Sequence, residues 1–310
     1  MTSPTANPAN PATVAAPPPP PPAGREPSEG GPTTVPMVRG RKRRAGAPAI
    51  VMVTAYDEPG ARLADAAGVD VLLVGDSVAN NVLGYDDTLH VTVDDMVRHT
   101  AAVARARPSA LVVGDMPWLS YHRSTDEAIE NAAALVRAGA AGVKLEGGIS
   151  RVAAIEAIVG AEIPVMGHLG LTPQSVLAMG GYRVQAREAG SARSLVEAAR
   201  ALEAAGCFAI VLEGVPDLVA GEVTDVVSVP TVGIGAGPHC DGQVLVFHDL
   251  LGLGARTPPK FVRRYANLGE LVTAAIASYA ADVRAGTFPA DAETYHASEE
   301  LRRALGSPGG

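Results

Sequence analysis

The sequence is poor in aromatic residues, cysteines and basic residues, and each shortage limits the structures or partners that the protein can have. Aromatic residues make up 4% of the 310 positions, so the core must be built from aliphatic side chains. The only two cysteines, Cys207 and Cys240, are too few for a disulfide scaffold and form no CxxC metal motif. The net charge of −8 predicts no nucleic-acid partner, because phosphate-binding surfaces need clustered lysine and arginine.

Long apolar runs are also missing. No run approaches the roughly 20 residues that cross a bilayer, so we expect no membrane segment. The N-terminus lacks an apolar stretch behind a basic one, which excludes a signal peptide of the usual pattern. Together with the low cysteine content, these features predict a protein of the reducing cytoplasm.

The first part of the chain has a composition unlike the rest. Twelve of the 25 prolines lie in residues 1–36, and six of them are consecutive at Pro17–Pro22. Such a segment cannot bury a core and predicts a disordered tail with polyproline II character. The basic run at 39–44 is interpreted as a solvated linker. We therefore divide the chain into a tail and linker at 1–47, a catalytic domain at 48–284 and a C-terminal extension at 285–310.

From about residue 48, short apolar runs alternate with helical patterns. Helices are indicated at 92–106, 124–139, 191–206 and 267–284, and the first two begin with residues that cap helices. Continuous Val, Ile and Leu runs between helices are typical of parallel strands that are covered on both faces. The runs predict strands at 49–56, 69–76, 109–115, 141–146, 163–168, 208–213 and 230–237, with a weaker eighth at 260–265.

Eight such units predict an α/β fold of the (β/α)₈ barrel type, also called a TIM barrel. A doubly wound open sheet is the alternative. It is disfavoured because no GxGxxG turn follows the first strand.

Five of the predicted strands end with an ionisable residue. Since parallel strands of a barrel point their carboxyl ends at one rim, these side chains should share a site. Lys144 lies two residues before one of them and therefore faces the same side of its strand. The five strand-end residues are Asp76, Asp115, Glu146, His168 and Glu213.

These residue types suggest acid–base chemistry beside a hard cation. Asp76, Asp115 and Glu146 offer the oxygen ligands that Mg²⁺ prefers, whereas zinc would call for more histidine or cysteine. Lys144 could then meet an anionic group of the substrate; in the metal-free alternative it pairs with one of the acids. Glu213 is placed to remove a proton next to a carbonyl group, and His168 to orient the substrate or support its neighbours. The pattern indicates a metal-dependent lyase, isomerase or carbon–carbon bond-forming enzyme that acts through an enolate.

Seven sequence blocks within residues 48–283 occur in the order of a known family. Through these blocks and their order, the chain resembles the 3-methyl-2-oxobutanoate hydroxymethyltransferase family, also called the ketopantoate hydroxymethyltransferase family. The blocks are VTAYD (53–57), LLVGDS (72–77), VKLEGG (143–148), PVMGHLGLTPQS (164–175), GGYRVQAR (180–187), VLEGVP (211–216) and GIGAG with CDGQVLVFHDLLGL (233–253).

The resemblance implies a barrel of the phosphoenolpyruvate/isocitrate lyase type that acts in pantothenate and coenzyme A biosynthesis. The implied reaction transfers a hydroxymethyl group from 5,10-methylenetetrahydrofolate to 3-methyl-2-oxobutanoate, giving 2-dehydropantoate. Members of the family are homo-oligomers, characteristically decamers. The family's roles map onto the Mg²⁺ ligands Asp76, Asp115 and Glu146, the oxo-acid contacts Asp76, Ser77, Asp115 and Lys144, and the general base Glu213.

Two rival functions are weighed against this one. A Mg²⁺-dependent carbon–carbon lyase of the isocitrate lyase superfamily, acting on a 2-oxo acid, would carry a KKCGH-type loop with a catalytic cysteine, which is absent here. A non-catalytic barrel would be expected to lose at least one rim residue, and all are present. GIGAG (233–237) follows the seventh strand, where many barrels bind phosphate; here it is interpreted as a close-packing loop.

Overall fold

The chain folds into a closed barrel of eight parallel strands, as a computed structural model of residues 31–42, 46–254 and 257–306 shows. Each strand pairs with its neighbours in sequence, and β1 also pairs with β8. The predicted (β/α)₈ barrel is confirmed, and the open-sheet alternative is wrong. Most of the tail predicted to be disordered, residues 1–30, lies outside the described residues. The strands are β1 Ile50–Thr54, β2 Val71–Val74, β3 Leu111–Asp115, β4 Gly142–Glu146, β5 Val165–Gly170, β6 Ala209–Glu213, β7 Thr231–Ile234 and β8 Gly242–Leu245.

Helices connect the strands, and two of them begin where the sequence predicts. Thr92 and Ser124 each accept a hydrogen bond from a backbone N–H of the first turn, which stabilises the helix start. The helices are α1 Val35–Arg39, α2 Glu58–Ala66, α3 Val78–Asn81, α4 Val93–Arg105, α5 Thr125–Arg137, α6 Val152–Gly160, α7 Val176–Met179, α8 Ala189–Ala204, α9 Asp217–Val226, α10 Phe247–Leu251, α11 Leu268–Ala285 and α12 Glu299–Leu305.

Strand residues alternate between the barrel interior and the layer under the helices. On β4, Leu145 belongs to the outer apolar cluster, whereas Lys144 and Glu146 lie on the opposite, inner face. A separate apolar cluster, which includes Met52, Val113 and other strand residues, fills the lower interior. The ionisable side chains at the strand ends therefore lie directly above a layer of apolar side chains inside the barrel.

The predicted eighth strand at 260–265 is wrong. The strand that closes the barrel is β8, and it pairs with both β1 and β7. It was missed because its outward-facing Gln243 is polar and exposed, so the strand shows no continuous apolar run. No described helix covers this outer face; Val51 on the adjacent β1 is 48% exposed.

The segment at 260–265 instead covers the GIGAG loop. The aromatic ring of Phe261 lies so close to Gly235 that a β-carbon there would be 2.6 Å from it. Asp217 approaches Gly237 in the same way, with 2.4 Å to a β-carbon built on that glycine. Both glycines have positive φ angles, 61° and 77°. This packing agrees with the interpretation of GIGAG as a close-packing loop.

The basic run at 39–44 is not simply a solvated linker, and that interpretation is wrong for two of its residues. Arg41 forms an ion pair with Asp70, directly before β2. Lys42 Nζ lies 2.9 Å from Oδ2 of Asp241, directly before β8. Val38, on α1, is buried within the interior apolar cluster. Residues 35–42 therefore close the bottom of the barrel, and the domain bounds drawn from the sequence stay a prediction.

The predicted helix at 267–284 is present as α11, and none of its residues is buried. An apolar stripe along it, at the helical spacing of Val272, Ile276, Tyr279 and Val283, is exposed. Within the described ranges, no helix is both long and apolar enough to cross a membrane.

Candidate active site

The predicted site residues meet at the carboxyl ends of the strands. Asp115, Glu146 and Glu213 are the last residues of β3, β4 and β6. His168 lies on β5 directly opposite Glu146 in the ladder, and Asp76 follows β2. Except for Glu213, these side chains are almost completely buried. The expectation that parallel strands bring them together is confirmed by their contacts.

Lys144 lies between two of the carboxylates. Its Nζ is 2.9 Å from Asp115 Oδ1 and 3.6 Å from Glu146 Oε1. Asp115 in turn accepts, through Oδ2, a hydrogen bond of 3.2 Å from the backbone N–H of Asp76. Burial works against the charged form of Lys144, but the carboxylates of Asp115 and Glu146 more than offset it and raise its pKa. Lys144 is therefore a permanent cation in the site.

His168 connects the acidic cluster to the predicted base. Its Nδ1 is 3.1 Å from Glu146 Oε1, and its Nε2 is 3.1 Å from Glu213 Oε2. Burial and the charge of Lys144 lower the pKa of the imidazole, but contacts with the two glutamates outweigh them and raise it to about 9. His168 thus holds a carboxylate on each side.

Glu213 is the most accessible acid of the group, with 16% of its side chain exposed. Its backbone oxygen accepts a hydrogen bond of 2.7 Å from the N–H of Leu171. Gly170 permits this approach, because a β-carbon there would lie 2.2 Å from the same oxygen. Glu213 is therefore held by a tight contact between β5 and β6 while its carboxylate remains open to a substrate.

Negative charge in the site exceeds what its cations balance. Burial, reinforced by the charges of Asp115 and Glu146, raises the pKa of Asp76 well above its usual range. Burial also raises the pKa of Asp115, against the opposing effect of Lys144. Burial acts in the same direction on Glu146, but His168 and Lys144 hold its pKa below the ordinary value. A further cation would relieve the repulsion among the three acids.

The donor set fits a hard divalent cation. All three acids offer buried oxygen atoms, among them Asp115 Oδ1, which lies 2.9 Å from Lys144 Nζ. Among the described residues, no group of three or more His, Cys, Asp or Glu side chains is already arranged to hold a metal ion. The remaining ligands would therefore be water and substrate oxygens. The ligand set Asp76, Asp115 and Glu146 stays a prediction.

Ser77, one of the predicted substrate contacts, follows Asp76 after the end of β2. Its Oγ is 2.9 Å from the hydroxyl oxygen of Tyr56, which accepts a hydrogen bond of 3.0 Å from Thr54 Oγ1. Burial raises the pKa of the Tyr56 phenol to about 12, so this hydroxyl stays protonated. Tyr56 and Thr54 fall in the VTAYD block but were not predicted as site residues.

Gln174 and Tyr121 were also missed. The Gln174 amide nitrogen is 2.9 Å from Asp76 Oδ2, and the Tyr121 hydroxyl is 2.6 Å from Gln174 Oε1. Gln174 lies in the PVMGHLGLTPQS block, but a glutamine in a turn has no distinctive local pattern. Its role depends on a contact between elements that are distant in sequence.

Comparison with known proteins places this geometry in a family. A family model described as ketopantoate hydroxymethyltransferase matches residues 33–291. A protein of Methylobacterium sp. (strain 4-46) named 3-methyl-2-oxobutanoate hydroxymethyltransferase is 56% identical over 272 residues, which cover 88% of this chain and 94% of that protein. A protein of the same name from Syntrophomonas wolfei is 53% identical and covers 86% of this chain and 97% of its own length.

Solved structures with a similar fold include a protein described as a member of the phosphoenolpyruvate mutase/isocitrate lyase superfamily. A 2,3-dimethylmalate lyase has a TM-score of 0.55 and 21% identity, with 88% of this chain and 95% of that chain covered. A phosphonopyruvate hydrolase complex with oxalate and Mg²⁺ has a TM-score of 0.55 and 16% identity, with 88% and 96% covered. The predicted barrel type is confirmed. By its sequence and fold, the chain belongs to the ketopantoate hydroxymethyltransferase family, whose members are transferases.

Proposed function

We propose that the protein transfers a hydroxymethyl group from 5,10-methylenetetrahydrofolate to C3 of 3-methyl-2-oxobutanoate, giving 2-dehydropantoate for pantothenate biosynthesis. The observation that carries this proposal is the position of Glu213. It is the accessible carboxylate of the group, and His168 alone separates it from the buried lysine–carboxylate cluster. A base is thus placed beside a site for an anionic, oxygen-rich substrate.

The buried cluster suits the oxo acid. Lys144 supplies a positive charge for the substrate carboxylate, and Ser77 offers a hydroxyl group beside the acids. Both ring nitrogens of His168 contact glutamates, so His168 supports Glu146 and Glu213. Asp76, Asp115 and Glu146 would hold Mg²⁺, which when bound polarises the 2-oxo group and makes the neighbouring C3 proton more acidic. That the phosphonopyruvate hydrolase complex contains Mg²⁺ and the diacid oxalate supports this choice of metal.

Glu213 then removes the C3 proton, and the resulting enolate carbon attacks the methylene carbon of the folate in its iminium form. The bond between the transferred carbon and the folate nitrogen then breaks, one water supplies the hydroxyl oxygen, and tetrahydrofolate is released. The side chain of His168 keeps Glu213 oriented while the proton is transferred, through the contact of 3.1 Å.

The alternative is a Mg²⁺-dependent carbon–carbon lyase acting on a 2-oxo acid, as in the superfamily of the solved structures. One assay separates the two reactions: consumption of 3-methyl-2-oxobutanoate in the presence of Mg²⁺, with and without methylenetetrahydrofolate. Consumption that requires the folate supports the transferase, and cleavage without it supports the lyase.

Glu213→Gln tests the base. Loss of a general base costs about 10²–10⁴-fold, so exchange of the C3 hydrogen of 3-methyl-2-oxobutanoate with solvent deuterium should fall by that factor. Binding of the oxo acid, measured by calorimetry, should persist. Glu156→Gln, on the exposed side of α6, is the matched control and should exchange normally. Exchange by Glu213→Gln at the wild-type rate would show that another residue is the base.

We also propose that the protein is a homo-oligomer, with the decamer characteristic of the family as the expected size. The exposed apolar stripe of α11 supports association between copies, because a contiguous apolar surface of this kind is unfavourable in water. A cytoplasmic location stays a prediction of the sequence.

A further inference from the structure

Gln174 was not predicted as a site residue, yet it makes several hydrogen bonds with the acidic cluster. It lies in a short turn, Pro173–Ser175, after β5, and its side chain is 4% exposed. We propose that Gln174 is a positioning residue that holds Asp76 and Glu146 in place for the divalent cation. This inference rests on the proposed function, in which these carboxylates bind Mg²⁺.

Every hydrogen-bonding group of Gln174 that faces the site is used. Its backbone N–H donates to Glu146 Oε2 at 3.0 Å. Its amide nitrogen donates to Asp76 Oδ2 at 2.9 Å and to the backbone oxygen of Met116 at 2.9 Å. One residue therefore ties together the ends of β2, β3 and β4, which carry the three acids.

The orientation of this amide is determined by its neighbours. The Met116 carbonyl can only accept a hydrogen bond, so the NH₂ group must face it and, with it, Asp76 Oδ2. On the other side, the Tyr121 hydroxyl accepts a hydrogen bond of 3.1 Å from the N–H of Glu146 and donates one of 2.6 Å to Gln174 Oε1. Tyr121 thus fixes the amide, and the amide fixes Asp76.

A neutral donor is well suited to this position. Asp76 and Glu146 repel each other, and that repulsion contributes to the raised pKa of Asp76. The donors of Gln174 stabilise both carboxylates without adding a positive charge that would repel a cation. Partners that hydrogen-bond to metal ligands in this way typically contribute about 10–100-fold to metal affinity.

The test compares three full-length variants by titration of Mg²⁺ in a calorimeter, with 3-methyl-2-oxobutanoate present. Gln174→Met keeps the length of the side chain and the backbone N–H that donates to Glu146, but removes the amide donors to Asp76 and Met116, and should raise the Mg²⁺ Kd by about 10–100-fold. Tyr121→Phe leaves Gln174 in place but frees its amide, and should raise the Kd by a smaller factor. Gln243→Met, on the outer face of β8, is the control and should leave the Kd unchanged.

Two further measurements separate positioning from a structural role. Thermal unfolding in EDTA reports the stability of the metal-free fold, and C3 hydrogen exchange at saturating Mg²⁺ reports the chemistry once the metal is bound. For Gln174→Met, we expect exchange at saturating Mg²⁺ to recover to within a few-fold of wild type. A lowered Tm with an unchanged or lower Mg²⁺ Kd in both Gln174→Met and Tyr121→Phe would overturn the proposal.

The wild-type titration distinguishes this inference from the proposed function. If the wild-type protein binds Mg²⁺ and exchanges the C3 hydrogen, the proposed function is supported, and the variants then test only the positioning role of Gln174. If the wild-type protein does neither, the proposed function fails, and the role of Gln174 in positioning metal ligands fails with it.

Discussion

Replacing Lys144 by methionine should destabilise the metal-free protein strongly. The lysine is 3% exposed, and its Nζ lies 2.9 Å from Asp115 Oδ1 and 3.6 Å from Glu146 Oε1. Removing one partner of a buried ion pair leaves the other charge uncompensated, at a cost of about 3–5 kcal/mol. For a domain of this size, that cost corresponds to a Tm lower by roughly 6–20 °C.

The loss of stability in Lys144→Met should depend on pH, and the ionisation of Asp115 determines whether it grows or shrinks as the pH rises. Burial already raises the pKa of this carboxyl, and Lys144 is the neighbour that acts most strongly to lower it. Without the lysine, Asp115 should titrate at still higher pH. A carboxyl whose pKa is raised by folding loses stability as the pH rises through its folded-state pKa. The deficit of Lys144→Met should therefore be smaller at pH 5 than at pH 8.

Thermal or urea unfolding in EDTA at these two pH values provides the measurement. Arg62→Met is the matched control, since it breaks an exposed ion pair with Glu58 and should cost less than about 1 kcal/mol. Adding Asp115→Asn to Lys144→Met should recover part of the loss, because it removes the unpaired charge. If Lys144→Met lies within about 0.5 kcal/mol of wild type at pH 8, as surface substitutions do, the reasoning is refuted.

Two further predictions concern the outer surface and the buried thiol. Ile276 on α11 is 61% exposed, and Ile276→Asp should give a smaller oligomer in light scattering without unfolding the protein. Ser278→Asp, on the opposite side of the helix, should leave the oligomer unchanged. An unchanged mass for Ile276→Asp would show that α11 is not part of the interface. Burial raises the pKa of Cys207 from 9.0 to about 12, so iodoacetamide at pH 8 should label it only after unfolding, and the associated stability should be lost as the pH rises from 9 towards 12. Labelling of the native protein, read by mass spectrometry, would contradict the burial.

The parts of the site that are local in sequence could be predicted. An apolar run that ends in an acid places that acid at the barrel rim, as for Asp115, Glu146 and Glu213, because parallel strands all point the same way. The inward direction of Lys144 follows from the two-residue period of its strand.

The parts that depend on contacts between distant segments could not be predicted. Nothing in the neighbourhood of Gln174 indicates that a turn after β5 reaches Asp76 on another strand. The short β8 was missed for a related reason. Gln243 on its outer face is exposed, so an apolar residue is not required there and the strand lacks the continuous apolar pattern of the others.

The seam between β1 and β8 has a consequence for how the chain folds during synthesis. Ile50 pairs with Gly242, and Lys42 contacts Asp241, 199 positions along the chain, so the barrel cannot close until all eight strands have left the ribosome. Until then, β1 presents an unpaired edge, which is a surface prone to aggregation. Contacts of this separation form slowly, because the entropy of a long loop must be lost first. We therefore expect the nascent protein to depend on chaperones until β8 emerges.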